Sequence, residues 1–313
     1  METLINFAAD LKKKEKHGIP QRFMSGKHIA LIFEKQSTRT RSAFTVAATK
    51  LGANVEYLNK NDIQLGSKES VEDTAKVLGA MFDGIAYRGD HQDTVESLGE
   101  HANIPIWNAL TNEWHPTQML ADFLTIKEHL GTYNGKTITF VGDGRNNVAH
   151  SLLVTGAILG ANINILAPES LQPSMPVQKI AYDIAKSSGS KLLITSDIKK
   201  GMANSDAVYT DVWCSMGEED ALDERVKLLS DYQVNQELMD MTGKEDTIFL
   251  HCLPAIHDKS TDIGKLAYEK FNVDGLEVTD DVFRSPASKV FDQAENRMHT
   301  IKALIAVTCG NVH

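Results

Sequence analysis

The chain has 313 residues, 42% of them hydrophobic and 24% charged, which is enough for a large core and about two domains of ordinary size. A formal net charge of −10 argues against nucleic acid or an acidic membrane surface as a partner. The three scattered cysteines are too few for a disulfide framework, and no apolar run is long enough to span a membrane. We therefore expect a soluble cytoplasmic protein.

Strands and helices alternate along the whole sequence. In the first half, the pattern predicts strands near 28–33, 53–58, 84–88 and 104–107, and helices near 38–51, 68–82, 91–101 and 117–130. A second series of strands is predicted near 136–141, 162–166, 191–195, 206–212 and 247–252, and a last amphipathic helix near 287–307. This alternation predicts an α/β protein with parallel sheets covered on both faces, and the glycine-bounded segment 131–135 is the best domain boundary.

The segment from Phe33 to Arg41 joins the first predicted strand to the first predicted helix. Ser37 stands where the N-cap of that helix should be, with further hydroxyls and two arginines directly after it. A helix start offers unpaired N–H groups and the positive end of the helix dipole, to which these side chains would add donors. The segment thus predicts an oxyanion site, and the alternative is an ordinary capped surface helix with solvated arginines.

Further polar clusters follow the ends of other predicted strands. In parallel α/β folds, ligands bind at the carboxyl ends of the strands, so these positions count most. Taken singly, each cluster is also explained as a helix cap, a strand-end turn or a buried cysteine. The clusters are His115-Pro116-Thr117-Gln118, Gly142 to Asn147, Asp211 to Gly217, and His251-Cys252-Leu253-Pro254.

The turn Gly142-x-Gly144 supports a rival interpretation. A Gly-x-Gly turn after a strand is part of the dinucleotide-binding fingerprint, which would indicate a nicotinamide-dependent dehydrogenase. However, the third glycine position is Asn147, and such an enzyme gives no role to the segment from Ser37 to Arg41.

The order and spacing of four motifs resemble those of the ornithine carbamoyltransferase family, within the aspartate/ornithine carbamoyltransferase superfamily. The motifs are Ser37-Thr38-Arg39-Thr40-Arg41, His115-Pro116-Thr117-Gln118, Asp211-x-x-x-Ser215-Met216-Gly217 and His251-Cys252-Leu253-Pro254. The resemblance runs from about Asn6 to the C-terminus. It implies a homotrimer, or a multiple of trimers, with active sites between subunits.

The resemblance also completes the expected fold, which is α/β with two doubly wound parallel-sheet domains joined by interdomain helices. It implies that a C-terminal helix returns to the first domain. The carbamoyl-phosphate-binding domain would then be 1–131 together with 290–313. The ornithine-binding domain would be 132–289.

The resemblance implies which residues bind carbamoyl phosphate and which take part in catalysis. Arg88, His115, Cys252 and Arg297 are expected to be catalytic. Arg39 and Arg41, two apart on a helix, point in different directions, and the family pattern favours Arg39 on the phosphate. Carbamoyl phosphate would be held by Ser37, Thr38, Arg39, Thr40, Arg88, His115, Gln118, Cys252, Leu253 and Arg297, with Gln64 reaching it from a neighbouring subunit.

The second substrate implied by the resemblance is L-ornithine. Asp211 would hold its α-ammonium group, while Asn147 and the backbone near Ser215 and Met216 would hold its carboxylate. Whether Asn146 or Asn147 makes the contact with ornithine stays open from the sequence. Cys252 would lie near the δ-amine that attacks the carbamoyl carbon. We expect no metal and no cofactor, because the histidines show no ligand spacing.

Three alternatives stay open from the sequence. An aspartate substrate is disfavoured, because residues 253–256 contain no arginine for a second carboxylate. Putrescine shares the amine of ornithine and lacks only its carboxylate, so it is harder to exclude. A family member without catalytic activity, acting as a binding subunit, is the third.

Overall fold

The structure is a computed structural model that describes residues 1–214 and 221–310. Contacts divide the chain into two compact units, Met1–Leu124 with Ala294–His313, and Thr125–Gln293. The chain passes from one unit to the other at two points, and both lie inside helices. These helices are Pro116–Leu130 and Val290–Cys309, and each contributes residues to both units. The division therefore lies a few residues away from the glycine-bounded segment that the sequence favours.

The first unit contains a four-stranded parallel sheet in the order β2-β1-β3-β4. Its strands are β1 (His28–Phe33), β2 (Asn54–Asn59), β3 (Gly84–Arg88) and β4 (Ile106–Leu110). Its helices are α1 (Glu2–Lys16), α2 (Thr38–Leu51), α3 (Val71–Gly79), α4 (Gln92–His101), the first part of α5 (Pro116–Leu130) and most of α13 (Val290–Cys309).

Strand β1 shows why this sheet is covered on both faces. Its side chains alternate between the faces, as the strand geometry requires. Ile29, Leu31 and Phe33 belong to a buried cluster that includes apolar residues of α2 and α13. Ala30 and Ile32 belong to a second cluster that includes residues of α3 and α4.

The second unit contains a five-stranded parallel sheet in the order β7-β6-β5-β8-β9. Its strands are β5 (Thr137–Val141), β6 (Asn162–Leu166), β7 (Leu192–Thr195), β8 (Ala207–Thr210) and β9 (Ile248–His251). Its helices are α6 (Asn147–Leu159), α7 (Met175–Ser188), α8 (Ile198–Met202), α9 (Leu222–Leu229), α10 (Gln236–Asp240), α11 (Asp262–Phe271) and α12 (Asp280–Phe283), with 3₁₀ turns at Glu169–Leu171 and Ser230–Tyr232.

The predicted fold class, α/β with parallel sheets, is confirmed, and two element boundaries differ for identifiable reasons. Strand β4 begins after Pro105, which has no N–H to donate to a ladder, so the predicted strand at 104–107 starts too early. Helix α3 begins after Ser70, whose hydroxyl accepts the N–H of Asp73 at 3.0 Å. The predicted start near 68 instead lies in a turn built on the carbonyl of Gln64.

Helices α1 and α13, far apart in the sequence, are joined by buried polar contacts within the first unit. Lys12 Nζ donates to Asn296 Oδ1 at 2.7 Å, and Lys302 Nζ pairs with a carboxylate oxygen of Glu15. Both lysines are nearly inaccessible to solvent. Because a buried cation is tolerated only when it is paired, these contacts fix how the two helices pack.

No helix among residues 1–214 and 221–310 combines the length and apolar character needed to cross a membrane. The three cysteines, Cys214, Cys252 and Cys309, are all free thiols.

Candidate active site

The first sheet changes winding direction at β1, whose neighbours are β2 on one side and β3 on the other. In such sheets the crevice beyond the carboxyl ends of the two diverging strands is the usual ligand site. Ser37 follows β1, and Arg88 is the last residue of β3. The fold therefore brings the predicted oxyanion segment and the predicted second arginine to one edge of one sheet.

Helix α2 begins as the sequence predicts. Ser37 is its N-cap, with extended backbone, and the Ser37 hydroxyl oxygen accepts the N–H of Thr40 at 3.1 Å. That contact leaves the hydroxyl hydrogen of Ser37 free to donate to a ligand. The first turn contains no acidic residue, so the positive end of the helix dipole is not neutralised there.

Arg297 reaches this helix from α13 and connects three predicted site residues. Its guanidinium donates to the hydroxyl of Thr40 at 2.8 Å and to the side-chain oxygen of Gln118. Gln118 in turn donates to Asp122 Oδ1 at 2.7 Å. All four side chains are almost fully buried, so the network fixes the guanidinium beside the start of α2. Asp122 was not predicted, although it lies four residues after Gln118 on the same helical face.

His115 lies directly before α5 and is almost fully buried. Burial holds the pKa of its imidazole well below the usual value, and the positive charges of Arg297, Arg88 and Arg39 lower that pKa further. The imidazole is therefore neutral beside three permanent cations. A neutral imidazole can donate one hydrogen bond to a developing oxyanion without carrying charge itself.

We expect His115 to stay neutral throughout the physiological pH range. At pH 6, an unperturbed histidine with a pKa of about 6.5 is roughly three-quarters protonated. Because the pKa of folded His115 lies below that of the unfolded chain, protonation favours unfolding, and this residue contributes a loss of stability as pH falls below about 6.5. Imidazole ¹⁵N shifts between pH 5 and 8 test this, with the His115 signal assigned by its loss in a His115→Asn variant. A midpoint at or above 6.5 would contradict the prediction.

Arg41 points away from this cluster. Its guanidinium carbon lies 3.5 Å from the centre of the Tyr57 ring on β2. This is a cation–π contact, and it confirms that Arg39 and Arg41 diverge although they are only two residues apart.

Gln64 lies in the loop between β2 and α3, with an exposed side chain. The loop forms a turn closed by its own backbone, since the carbonyl of Gln64 accepts N–H groups from Ser67, Lys68 and Glu69 at 3.0 to 3.2 Å. The exposed side chain of Gln64 thus stands on this turn at the surface of the first unit.

The second sheet changes winding direction at β5, whose neighbours are β6 and β8. Asn146 follows β5 and Asp211 follows β8. The Asn146 amide nitrogen donates to Asp211 Oδ2 at 3.3 Å, while the Asn146 amide oxygen caps α6 by accepting the N–H of Ala149 at 2.7 Å. These two residues therefore meet at the ligand-binding edge of the second sheet.

Asp211 is also bound to Cys252, which follows β9. The Cys252 thiol donates to Asp211 Oδ1 at 3.0 Å, and the N–H of Val212 donates to the same oxygen at 2.8 Å. Burial raises the pKa of Asp211, while the nearby His251 and the Cys252 hydrogen bond oppose that rise. In these contacts the Asp211 carboxylate accepts hydrogen bonds but forms no ion pair with a lysine or an arginine.

A buried pair beneath Cys252 fixes the following turn. Leu253 has a left-handed backbone with φ of 59°, and its N–H donates to His251 Nδ1 at 2.9 Å. Nδ1 accepts in this contact, and Nε2 donates to Glu277 Oε1 at 3.2 Å. Glu277 also accepts the N–H of Ile256 at 2.7 Å, so one carboxylate organises the turn from both ends.

Asp211, His251 and Cys252 could in principle bind a metal ion, since their donor atoms lie within 4.8 Å of one another. Both ring nitrogens of His251 are engaged, however, by Leu253 and Glu277. A metal would have to displace one of these buried contacts, so the arrangement suits a hydrogen-bonded site better.

The remaining ornithine predictions have different outcomes. Asn147 is the first residue of α6 and half-buried, so it lies beside the site. The sequence left open whether Asn146 or Asn147 contacts ornithine, and Asn146 is the residue whose side chain contacts Asp211. Its position immediately before a helical pattern, where asparagine is a favoured N-cap, indicates the start of α6 but not the contact with Asp211. Ser215 and Met216 lie outside the described residues.

The Gly142-x-Gly144 turn is occupied by an ion-paired carboxylate. Asp143, between the two glycines, pairs with Arg225 at 2.7 Å and with Arg145 at 3.1 Å. A dinucleotide would need its pyrophosphate close to this turn. The buried carboxylate of Asp143 disfavours that use.

Comparison with known proteins gives a consistent result. Residues 1–128 match the family described as aspartate/ornithine carbamoyltransferase, carbamoyl-P binding domain. Residues 134–308 match the description aspartate/ornithine carbamoyltransferase, Asp/Orn binding domain.

Individual relatives cover nearly the whole chain. The catabolic ornithine carbamoyltransferase of Staphylococcus aureus (strain N315) is 59% identical over 310 residues, covering 99% of this chain and 92% of the relative. The catabolic enzyme of Streptococcus ratti is 60% identical over 312 residues, covering 100% of this chain and 93% of the relative.

Solved structures show the same similarity. The ornithine carbamoyltransferase of Pyrococcus furiosus has a TM-score of 0.91 and 42% identity, covering 99% of this chain and 93% of the other. The anabolic ornithine carbamoyltransferase of Campylobacter jejuni has a TM-score of 0.86 and 35% identity, covering 98% of this chain and 93% of the other.

Proposed function

Because the chain belongs to the aspartate/ornithine carbamoyltransferase family, we propose that it transfers the carbamoyl group of carbamoyl phosphate to the δ-amine of L-ornithine. The new C–N bond gives L-citrulline, the C–O bond to phosphate breaks, and the amine loses one proton. The observation that carries the proposal is the buried His115, whose pKa is lowered by burial and by the charges of Arg297, Arg88 and Arg39.

The first unit suits the charges of carbamoyl phosphate. Its phosphate is a dianion, and its carbonyl oxygen becomes negative as the amine attacks. Arg39, Arg88 and the start of α2 would neutralise the phosphate before and after it leaves. Arg297 and the neutral His115 would donate to the carbonyl oxygen. Since Arg297 is already fixed by Thr40 and Gln118, little reorganisation would be needed at the moment of reaction.

The second unit suits an amino acid with a second amine. Asp211 carries the negative charge needed for the α-ammonium group, and Asn147 is assigned to the carboxylate. The δ-amine attacks only when it is neutral, and Cys252, whose thiol donates to Asp211, is assigned to orient that amine.

An assay of citrulline formation tests the proposed function. Carbamoyl phosphate is supplied with ornithine, putrescine or aspartate in parallel reactions, and the carbamoylated products are separated. We expect turnover with ornithine at least tenfold faster than with either alternative, because a site built for an α-amino acid leaves polar groups unpaired with putrescine. Preference for putrescine or aspartate would overturn the assignment.

The relatives from Staphylococcus aureus and Streptococcus ratti are both named catabolic, so we propose that this enzyme also works in the reverse direction in the cell. There, phosphate attacks citrulline and releases ornithine and carbamoyl phosphate. Phosphate-dependent loss of citrulline, coupled to removal of carbamoyl phosphate, measures this direction. We place the enzyme in the cytoplasm, consistent with its free thiols.

We further propose a homotrimer, or a multiple of trimers, in which Gln64 serves the carbamoyl phosphate of a neighbouring subunit. The exposed Gln64 side chain on its turn is available for such a contact. If sites are shared, a trimer mixing Arg39→Ala and Gln64→Ala chains contains one site with neither lesion. We expect activity to rise after subunit exchange between the two inactive proteins.

The matched control for this complementation mixes Arg39→Ala with Arg88→Ala. Both lesions then lie in the part of the site supplied by one chain, so every site in a mixed trimer keeps a lesion. Subunit exchange is verified by mass spectrometry in both mixtures. Equal recovery in both mixtures, or none in the first, would show that Gln64 does not act across subunits.

A further inference from the structure

Two loops flank the anion-binding residues of the first unit, and four side chains link them. The first loop, 34–37, joins β1 to α2. The second, 88–90, begins with Arg88 at the end of β3. We call the linking side chains the loop clamp, defined as Glu34, Lys35, Tyr87 and Asp90.

The inner half of the loop clamp is a hydrogen bond from a buried tyrosine to a half-buried glutamate. Tyr87 is inaccessible to solvent, and its hydroxyl donates to Glu34 Oε2 at 2.9 Å. Burial and the Glu34 carboxylate raise the pKa of Tyr87, so the phenol stays protonated and remains a donor at any physiological pH. The backbone adds a parallel contact, from the N–H of Glu34 to the carbonyl of Arg88 at 2.8 Å.

The backbone directly after Arg88 packs closely against the Tyr87–Glu34 hydrogen bond. A Cβ on Gly89 would lie 2.0 Å from the Tyr87 hydroxyl and 2.4 Å from Glu34 Oε2, so only glycine fits there. The pairing of β3 with β4 also shifts register between Tyr87 and Arg88. Irregularities of this kind commonly redirect a side chain next to a functional site.

The outer half of the loop clamp is an ion pair. Lys35 Nζ lies 2.5 Å from Asp90 Oδ1 and also donates to Asn112 Oδ1 at 2.9 Å. The N–H of Asn112 donates to the carbonyl of Asp90 at 3.0 Å. Tyr87, directly before Arg88, and Asp90, two residues after it, are therefore both tied to the loop that leads into α2.

We propose that the loop clamp is a positioning device that sets the distance between Arg88 and the donors of Ser37 to Thr40. Tyr87 and Asp90 act through Arg88 and do not touch the substrate. The ligand class is a phosphate dianion, free or as part of carbamoyl phosphate. This inference rests on the proposed function for its substrate, but phosphate binding tests it without any turnover.

Tyr87→Phe is the direct test, because it removes only the hydroxyl oxygen. Binding of inorganic phosphate is measured by isothermal titration calorimetry on the intact assembly. We expect the dissociation constant to rise about five- to tenfold, which lies within the range for losing a typical intramolecular hydrogen bond. In the citrulline assay, the KM for carbamoyl phosphate should rise while the KM for ornithine stays within twofold.

Tyr232→Phe is the matched control. Tyr232 is also buried and donates through its hydroxyl, to the carbonyl of Ser196 at 3.0 Å, but it lies in the second unit. We expect a similar small loss of thermal stability and unchanged phosphate binding. Phosphate binding by Tyr87→Phe within twofold of the unmodified protein would overturn the proposal.

Asp90→Asn gives a second test that does not depend on the fold tolerating a change at Tyr87. Removing a negative charge near an anion site should strengthen phosphate binding if charge alone matters. If the loop clamp positions Arg88, Asp90→Asn should instead bind phosphate about two- to threefold more weakly, because the ion pair with Lys35 is lost. Stronger binding would refute the positioning role. If the unmodified protein binds phosphate but makes no citrulline, the proposed function fails while these binding results still decide the inference.

Discussion

Replacing Arg39 by alanine is expected to lower kcat/KM for carbamoyl phosphate by about 10²–10³-fold. Arg39 lies in the first turn of α2, and its positive charge, like those of Arg88 and Arg297, lowers the pKa of His115. A charge-assisted contact that strengthens as the phosphate leaves is worth on the order of 2–4 kcal/mol in the transition state. Initial rates of citrulline formation at varied carbamoyl phosphate measure the loss.

Arg41→Ala is the matched control for this prediction. It removes the same side chain from the same helix turn, two residues away, but its guanidinium is stacked on Tyr57. We expect at most a severalfold change in kcat/KM, together with a small loss of stability from the lost cation–π contact of about 0.5–1 kcal/mol. Equal losses in the two variants would show that total positive charge, rather than the position of Arg39, governs binding.

Replacing Asp211 by asparagine is expected to lower kcat/KM for ornithine by about 10²–10³-fold and to leave the KM for carbamoyl phosphate within a few fold. The carboxylate is half-buried and accepts hydrogen bonds from Asn146, Cys252 and the N–H of Val212. Removing its charge deprives the α-ammonium group of its partner, at a cost of about 2–4 kcal/mol for a buried charge pair. Steady-state kinetics with each substrate varied in turn separates the two parameters.

The other end of the same strand provides the control. Asp206 directly precedes β8, just as Asp211 follows it, and pairs with Lys136 and Lys244. Asp206→Asn makes the same chemical change at the amino end of the sheet, away from the edge where ligands bind. We expect lower thermal stability and nearly normal kinetics. A selective rise in the KM for ornithine in this variant would show that any disturbance of β8 weakens ornithine binding. The effect of Asp211→Asn could then not be assigned to the Asp211 carboxylate.

The sequence predicted best where the signal is local. The strand from His28 to Phe33, the cap at Ser37 and the helix that follows all depend on hydrophobic period and capping, which a short window contains. The divergence of Arg39 and Arg41 also follows from helix geometry alone. These features predict an oxyanion site without knowledge of the rest of the chain.

The rest depended on contacts between distant residues. Nothing near Asn146 in the sequence indicates that its amide donates to Asp211, because that contact requires β5 and β8 to be neighbours. The pairing of Tyr87 with Glu34 likewise requires β1 and β3 to lie side by side. For Arg88 and Arg297, residue type gave no reason to prefer a site over a solvated surface, and only the family resemblance pointed to them.

The contact between Arg297 and Thr40 joins residues 257 positions apart, and the whole second unit lies between them in the sequence. During synthesis, the ribosome must therefore complete the ornithine-binding half before it supplies the last donor to the carbamoyl-phosphate half. Until then, Lys12 lacks Asn296 and α1 lacks its polar contacts with α13. We expect a nascent chain halted before Ala294 to be sensitive to proteases and unable to retain phosphate. Nascent chains long enough to expose Val290–Cys309 would gain both properties together, which makes completion of translation the step that creates the substrate site.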